Sequence, residues 1–296
     1  MTKKHIYLII ISLTIFACGG DNGQETPAHE AQTTELGDEN SKERAAKAKK
    51  VFYTVPSPYE TALIFERSGV GYNIGVLNPI DNVNNYSTNV KQALNFGVYG
   101  ADLSYANIFD QSQQCMFYMN CAKKLADGLG ITSAFDAATM ERIEANMNNR
   151  DSLMNIINDS YWIADGYLKE NEQDFLSALI ISGGWIEGLY LGTVTLDEDN
   201  PSEELMQSIA DQKYSLNNLI GLMEMYDHVE VNKIKEKLIG LKTSFDKITE
   251  TTTETTVTNN DSEVATIGGG SSLSYSKETI LEIAANIKTI RDEIIE

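Results

Sequence analysis

The sequence predicts an all-α fold, a multi-helix bundle of about eight to nine helices. Three observations lead to this prediction. Apolar residues recur three or four apart through most of the chain beyond residue 57, and Ile280, Ile283 and Ile287 illustrate the pattern near its end. Residues that cap or stop helices stand between these segments. Threonine-rich composition is confined to a stretch near residues 250–268, where we expect either a short β-hairpin or a flexible excursion.

The first expected helix covers residues 57–69, because a proline suits its first turn and a glycine its end. Residues 70–89 are rich in Gly, Asn and Pro and predict a long loop. Ser133 with Asp136 is typical of an N-terminal cap. Further helices are expected over residues 88–109, 111–129, 134–149, 151–170, 173–195, 202–226 and 231–249.

The composition then shifts, since residues 249–270 are rich in threonine. Two short β-branched runs flank the sequence NND at residues 259–261, which suits a tight turn. The last segment, residues 276–296, predicts an amphipathic helix, because isoleucines recur three or four apart with charges between them. We expect this helix to dock on the bundle.

The N-terminus has the marks of an export signal. Lys3 and Lys4 precede the apolar run IYLIIISLTIFA, which is too short to span a bilayer core of about 30 Å as a permanent helix. The sequence IFAC at residues 15–18 resembles the lipobox of bacterial lipoproteins, in which the cysteine is acylated and becomes the first mature residue. This resemblance implies a signal peptide over residues 1–17 and a covalent lipid on Cys18. An ordinary secreted protein is the alternative.

Residues 18–44 contain almost no large apolar side chains, so burial cannot offset their ordering entropy, and we expect a disordered tether. A single helical domain over residues 45–296 would follow. Two or more acyl chains hold a protein stably on a lipid bilayer. Gly19 in place of an aspartate resembles the sorting pattern of outer-membrane lipoproteins, and GGDNGQE is similar to surface-export signals of some Bacteroidota lipoproteins. We therefore expect the periplasmic face of the outer membrane or the cell surface.

The charge of the chain argues against nucleic acid as a partner. The formal net charge is −20, and removal of residues 1–17 with their two lysines makes it −22. Binding to phosphate backbones depends on Lys and Arg, and this chain has fewer of them than of Asp and Glu.

Histidine and cysteine limit the chemistry further. Only His228 falls in the expected domain, so zinc sites with two histidines on one helix and di-iron bundles are excluded. We expect no metal, and no cofactor besides the lipid on Cys18. Cys115 and Cys121 would lie about 9 Å apart along a helix, whereas a disulfide needs Cα atoms within about 7 Å. Two free thiols are expected.

Small residues form two ridges on the expected helices. Gly184, Gly188 and Gly192 lie four apart in the apolar stretch LIISGGWIEGLYLG. Ala93, Gly97, Ala101 and Ser104 form the second ridge. We expect these two helices to cross closely at the centre of the bundle. A membrane span would place Glu187 in lipid at a cost of several kcal/mol, and the glycines match no phosphate-binding loop.

Glu187 and Asp102 each lie beside a ridge and need partners if they are buried. One interpretation is a pair of satisfied acids that tie helices together. The candidate partners are the tyrosines Tyr99, Tyr105 and Tyr190 and the cations Lys123 and Arg150. Another is a small polar pocket in which Glu187 and Asp102, lined by the aromatic residues Trp185, Tyr99 and Tyr105, hold a cation or a sugar. A third is glycoside hydrolysis by the paired carboxylates, although the sequence does not fix their separation.

From the sequence we expect a membrane-anchored envelope lipoprotein with a non-catalytic role in binding or assembly, with an envelope protein as partner. A protein that binds a small ligand through Asp102 and Glu187 is the alternative. A carboxylate-based hydrolase is the third class.

Overall fold

The computed structural model describes residues 42–44, 46–50, 64–65, 67–146, 149–252, 256–258, 266–268 and 271–296. The expected signal peptide, Cys18 and nearly all of the expected tether lie outside the described residues and stay predictions.

Eight α-helices have both ends within the described residues: α1 (Asn89–Ile108), α2 (Ser112–Gly128), α3 (Ala137–Ala145), α4 (Arg150–Glu170), α5 (Phe175–Val194), α6 (Glu203–Met223), α7 (Val229–Phe245) and α8 (Lys277–Ile295). Short 3-10 turns cover Ile74–Val76, Ile80–Asn84 and Thr132–Phe135. The prediction of an all-α bundle is confirmed. The expected loop between residues 70 and 89 is present, with two of these turns inside it.

Polar side chains set the starts of most of these helices. Thr88, Asn149, Ser202 and Ser276 each accept a hydrogen bond from a backbone N–H in the first turn of α1, α4, α6 and α8. Asp136 alone, without Ser133, caps α3 by accepting from the backbone N–H of Thr139 at 2.8 Å. Each such cap satisfies a donor that the helix itself leaves unpaired.

Helix α5 occupies the centre of the body and packs most extensively against α1. By length and composition α5 is the one helix among the described residues that could cross a membrane, with a mean hydropathy of 1.4. However, 78% of that window is buried inside the protein. Helices α1, α4, α6, α7 and α8 pack against α5 and cover its apolar side chains, which is typical of the core helix of a helical bundle.

A narrow antiparallel ribbon leaves the body between α7 and α8. It contains the strands β1 (Thr249–Thr252), β2 (Thr256–Thr258), β3 (Thr266–Gly268) and β4 (Ser271–Ser274). Strand β1 pairs with β4, and β2 pairs with β3, so the second pair is nested within the first. The hairpin expected near residues 250–268 is present, and its pairing extends to residue 274. The expected turn at residues 259–261 lies outside the described residues.

Candidate functional site

The crossing of α1 and α5 depends on glycine, although not on the whole ridge that the sequence suggested. A Cβ atom built on Gly97 would lie 2.0 Å from the carbonyl oxygen of Ile180, and one on Gly183 would lie 1.9 Å from that of Leu94. Both obstacles are backbone atoms, which cannot rotate away. A Cβ on Gly184 would make ordinary contact with Gly97, at 3.4 Å. The two backbones therefore touch at one point, where only glycine fits at Gly97 and Gly183.

The prediction that Gly188 and Gly192 belong to this contact was wrong. Gly188 is exposed, and a Cβ there would meet nothing within 4 Å. A Cβ on Gly192 would only touch the side chain of Ile209 on α6, at 4.0 Å. Ala101 is half-buried. At 3.6 residues per turn, residues four apart are rotated by about 40° around the helix axis, so the ridge from Gly184 to Gly192 turns away from α1.

The crossing places Glu187 next to a partner from the end of the chain. Arg291 of α8 donates from Nε to Glu187 Oε2 at 2.9 Å and from Nη2 to Glu187 Oε1 at 3.0 Å. Arg291 Nη2 also donates to the carbonyl oxygen of Val76, and its guanidinium lies 4.5 Å from the ring centroid of Tyr190. Glu187 is 0% exposed and Arg291 is 7% exposed. This bidentate geometry is the strongest arrangement available to a buried carboxylate.

Asp102 is the second buried acid and is close enough to interact with Glu187. Its Oδ2 accepts from the backbone N–H of Asn78 at 3.3 Å, whereas its Oδ1, as a carboxylate oxygen, has no hydrogen-bond partner. Burial raises the pKa of Asp102 well above its ordinary value, and the negative charge of Glu187 raises that pKa further. Burial also raises the pKa of Glu187, while the hydrogen bonds and charge of Arg291 oppose that rise. Asp102 is therefore the acid that keeps its proton, and Glu187 is the acid that is charged.

A network of buried amides continues from Asp102 to the last turn of α8. The side chain of Asn78 donates to Tyr86 Oη at 3.0 Å and to Asn95 Oδ1 at 3.4 Å. Asn95 Nδ2 then donates to the carbonyl oxygen of Ile294, and Tyr86 Oη donates to that of Ile295, both at 3.0 Å. The last carbonyls of a helix lack partners within the helix. The network supplies hydrogen-bond donors to these carbonyls and so fixes α8 to α1 and to the loop before α1.

The aromatic residues expected to line a pocket do not converge on the two acids. Trp185 donates from Nε1 to Ser215 Oγ on α6 at 3.1 Å. Tyr105 interacts through its hydroxyl with the backbone of Gly71 and Asn73. Tyr99 donates to the carbonyl oxygen of Pro79 at 2.9 Å, and burial raises its pKa. Each hydroxyl or indole N–H therefore has a structural partner, and the aromatic pocket that the sequence suggested is not assembled.

The counter-ion of Glu187 is Arg291, which was not among the partners expected from the sequence, and the expectation of Lys123 was wrong. Lys123 lies on the surface and pairs with Asp127, at 3.1 Å, and the side chain of Arg150 lies outside the described residues. A signal for Arg291 was present. It lies four residues after Ile287 and three before Ile294, so it sits on the apolar stripe of its helix. An arginine on a buried stripe needs a buried acid.

Chemically, this arrangement can hold helices together, and neither acid is open to solvent. Both carboxylate oxygens of Glu187 are engaged by Arg291, and Asp102 is 0% exposed. Among the described residues, no group of three His, Cys, Asp or Glu side chains could hold a metal ion. Outside the network lies an open surface depression, lined by Asn82, Asn85, Asp292, Ile295 and Glu296. It is shallow and has no aromatic ring in its lining.

Comparisons with models of protein families, with curated proteins and with solved structures found no match for this chain.

Proposed function

We propose that this protein is a lipoprotein of the outer membrane, anchored by a lipid on Cys18, with a non-catalytic role in binding or assembly. The anchor is supported by the basic residues, short apolar run and IFAC sequence of the N-terminus. An envelope protein is the expected partner.

One observation carries the non-catalytic part of the proposal. Glu187, the charge that stood out in the sequence, is paired in a bidentate fashion with Arg291 and is 0% exposed. A catalytic or ligand-binding carboxylate must reach its substrate, whereas a buried and fully paired one contributes to the fold. Binding of a cation or sugar at Asp102 and Glu187, and hydrolysis by the two carboxylates, both require an opening to solvent. Neither alternative gains support from these contacts.

Metabolic labelling tests the anchor. Cells that express the full chain are grown with an alkyne fatty acid, and the protein is examined for label and for fractionation with membranes. We expect the Cys18→Ser variant to lose both, because the acyl chains have no other attachment site. Cys121→Ala is the matched control, since it also removes one cysteine and should retain the label. Full labelling of Cys18→Ser would contradict the anchor.

Native electrophoresis of detergent-solubilised membranes tests the assembly role. We expect the lipidated protein to migrate in a complex larger than itself, and this migration should survive Asp102→Asn, because that acid has no exposed surface. Migration as a single chain in both samples would contradict the assembly role.

A further inference from the structure

Residues 42–44 and 46–50 form a segment that docks on the helical body. Arg44 pairs with Asp174 at 2.7 Å and lies over the ring of Tyr226. Lys47 donates to the carbonyl oxygen of Gly221 at 3.4 Å, and Ala48 is buried. This segment therefore lies at the C-terminal end of α6, where the chain turns into α7.

The ribbon leaves the body from the other end of α6. Tyr275, which follows β4, donates to Gln207 Oε1 at 3.2 Å, and Leu273 of β4 packs against the core. Lys213 donates to the carbonyl oxygen of Ile248, the residue before β1. Gln207 and Gly221 are 14 residues apart on α6, which is about 21 Å along its axis. The base of the ribbon is therefore remote from the docked segment.

Strand β1 has an open edge. Among the described strands it pairs only with β4, so the backbone N–H and C=O groups on its other side have no strand partner. Thr249, Glu250 and Thr251 are exposed, whereas β4 lies against α6. Two-stranded ribbons are only marginally stable in water, and a third strand would stabilise this one. Proteins commonly protect such edges with lysine or proline, and residues 249–274 contain neither.

The charges near this edge favour a basic partner. Glu250 of β1 is exposed, and the sequence of residues 249–274 contains no lysine or arginine. Glu203 and Glu204 lie in the first turn of α6, at the same end of the body. Four cations lie nearby. Arg67 pairs with Glu204 and Lys247 pairs with Glu282. Lys213 donates to the carbonyl oxygen of Ile248, and Lys277 donates to that of Glu198. A second copy of this ribbon would bring like charges together, whereas a basic strand would be attracted.

We propose that the free edge of β1 is a docking site for a basic, extended segment of a partner protein, which adds to the ribbon as a third strand. The proposal rests on the proposed role in binding or assembly and names its surface. Backbone hydrogen bonds would supply affinity. Glu250, with Glu203 and Glu204 at the same end of the body, would favour lysine and arginine side chains.

Fluorescence anisotropy tests this docking with the mature chain that lacks its lipid, so that the result is independent of the anchor. The probe is the labelled peptide Lys-Thr-Lys-Val-Lys-Thr-Lys-Val, with an acidic version and a version N-methylated at alternate residues as controls. We expect the basic peptide to bind and the other two to fail. The N-methylated peptide keeps the charge but lacks the donors of one strand edge, so its equal binding would overturn strand addition.

Two charge variants locate the site. Glu250→Lys on β1 should weaken binding of the basic peptide about tenfold. Glu236→Lys makes the same change of charge on the exposed face of α7 and should leave binding unchanged. Amide hydrogen exchange at Thr251 should slow when the peptide is bound. Failure of the basic peptide to bind, or equal effects of both variants, would overturn the proposal. If Cys18 carries no lipid in the labelling experiment, only the proposed anchor is overturned.

Discussion

Gly183 and Gly188 lie five residues apart on α5, and the same substitution by alanine should have opposite effects on stability at the two positions. A Cβ on Gly183 would lie 1.9 Å from the carbonyl oxygen of Leu94, about 1.5 Å closer than an ordinary van der Waals contact. Because the obstacle is backbone, α1 and α5 would have to separate. Gly188 is exposed and has nothing within 4 Å of its Cβ position.

The magnitudes follow from two opposing effects. Overpacking a core costs about 1–3 kcal/mol, and a clash with backbone belongs at the upper end of that range. Replacing a helical glycine by alanine returns about 1 kcal/mol of helix propensity. Gly183→Ala should therefore lower the free energy of unfolding by about 2 kcal/mol, which corresponds to a fall in Tm of about 4–8 °C. Gly188→Ala should raise that free energy by about 0.5–1 kcal/mol.

Urea unfolding followed by circular dichroism at the helical band measures both variants. Gly188→Ala is the matched control, because it makes the same chemical change on the same helix. A Gly183→Ala variant as stable as the natural protein, or a Gly188→Ala variant less stable than it, would refute the close crossing of α1 and α5.

Three further predictions follow from the buried polar groups. Arg291→Met should cost about 3–5 kcal/mol in urea unfolding because it leaves Glu187 buried without a counter-ion, and a double variant with Glu187→Leu should recover most of that loss. Burial raises the pKa of Asp102 above its unfolded value, so the native state keeps a proton that the unfolded state loses, and stability falls as pH rises from about 4 towards the native pKa. The amide of Asp102→Asn donates a hydrogen bond but does not titrate. The free energy of unfolding of this variant, relative to that of the natural protein, should therefore be greater at pH 8 than at pH 4. An equal difference at both pH values would contradict the protonated state of Asp102. Burial raises the pKa of the Cys115 thiol to about 12 and that of Cys121 to about 11, so neither should react with a disulfide reagent at pH 8 until urea unfolds the protein, and rapid native reaction would contradict their burial.

Local patterns in the sequence predicted the helices well, because each depends on nearby residues. Spacing of the isoleucines located α8, and the expected starts of α1 and α6 at residues 88 and 202 lie within one residue of the observed starts. The same reasoning located the threonine-rich ribbon, although its strands reach residue 274 because β4 pairs with β1 across a long separation.

Tertiary contacts were predicted less well, because spacing along one helix does not fix which turn meets the neighbour. The pattern identified Gly97 and the helix it crosses, yet Gly183, one residue off the expected ridge, makes the closest approach. The pairing of Glu187 with Arg291 spans 104 residues and depends on the angle at which α8 crosses α5. No local signal contains that angle. The aromatic site failed for the same reason, since Trp185 faces α6 on the far side of α5.

The separation of Glu187 from Arg291 has a consequence for the order of events during biosynthesis. A chain made from its N-terminus carries Glu187 for a further 104 residues before its counter-ion exists. Until then, closing the interior around that carboxylate would cost several kcal/mol. The interior around Glu187 should therefore close only after α8 has been synthesised, which would suit the export of an unfolded chain that the proposed lipid anchor requires.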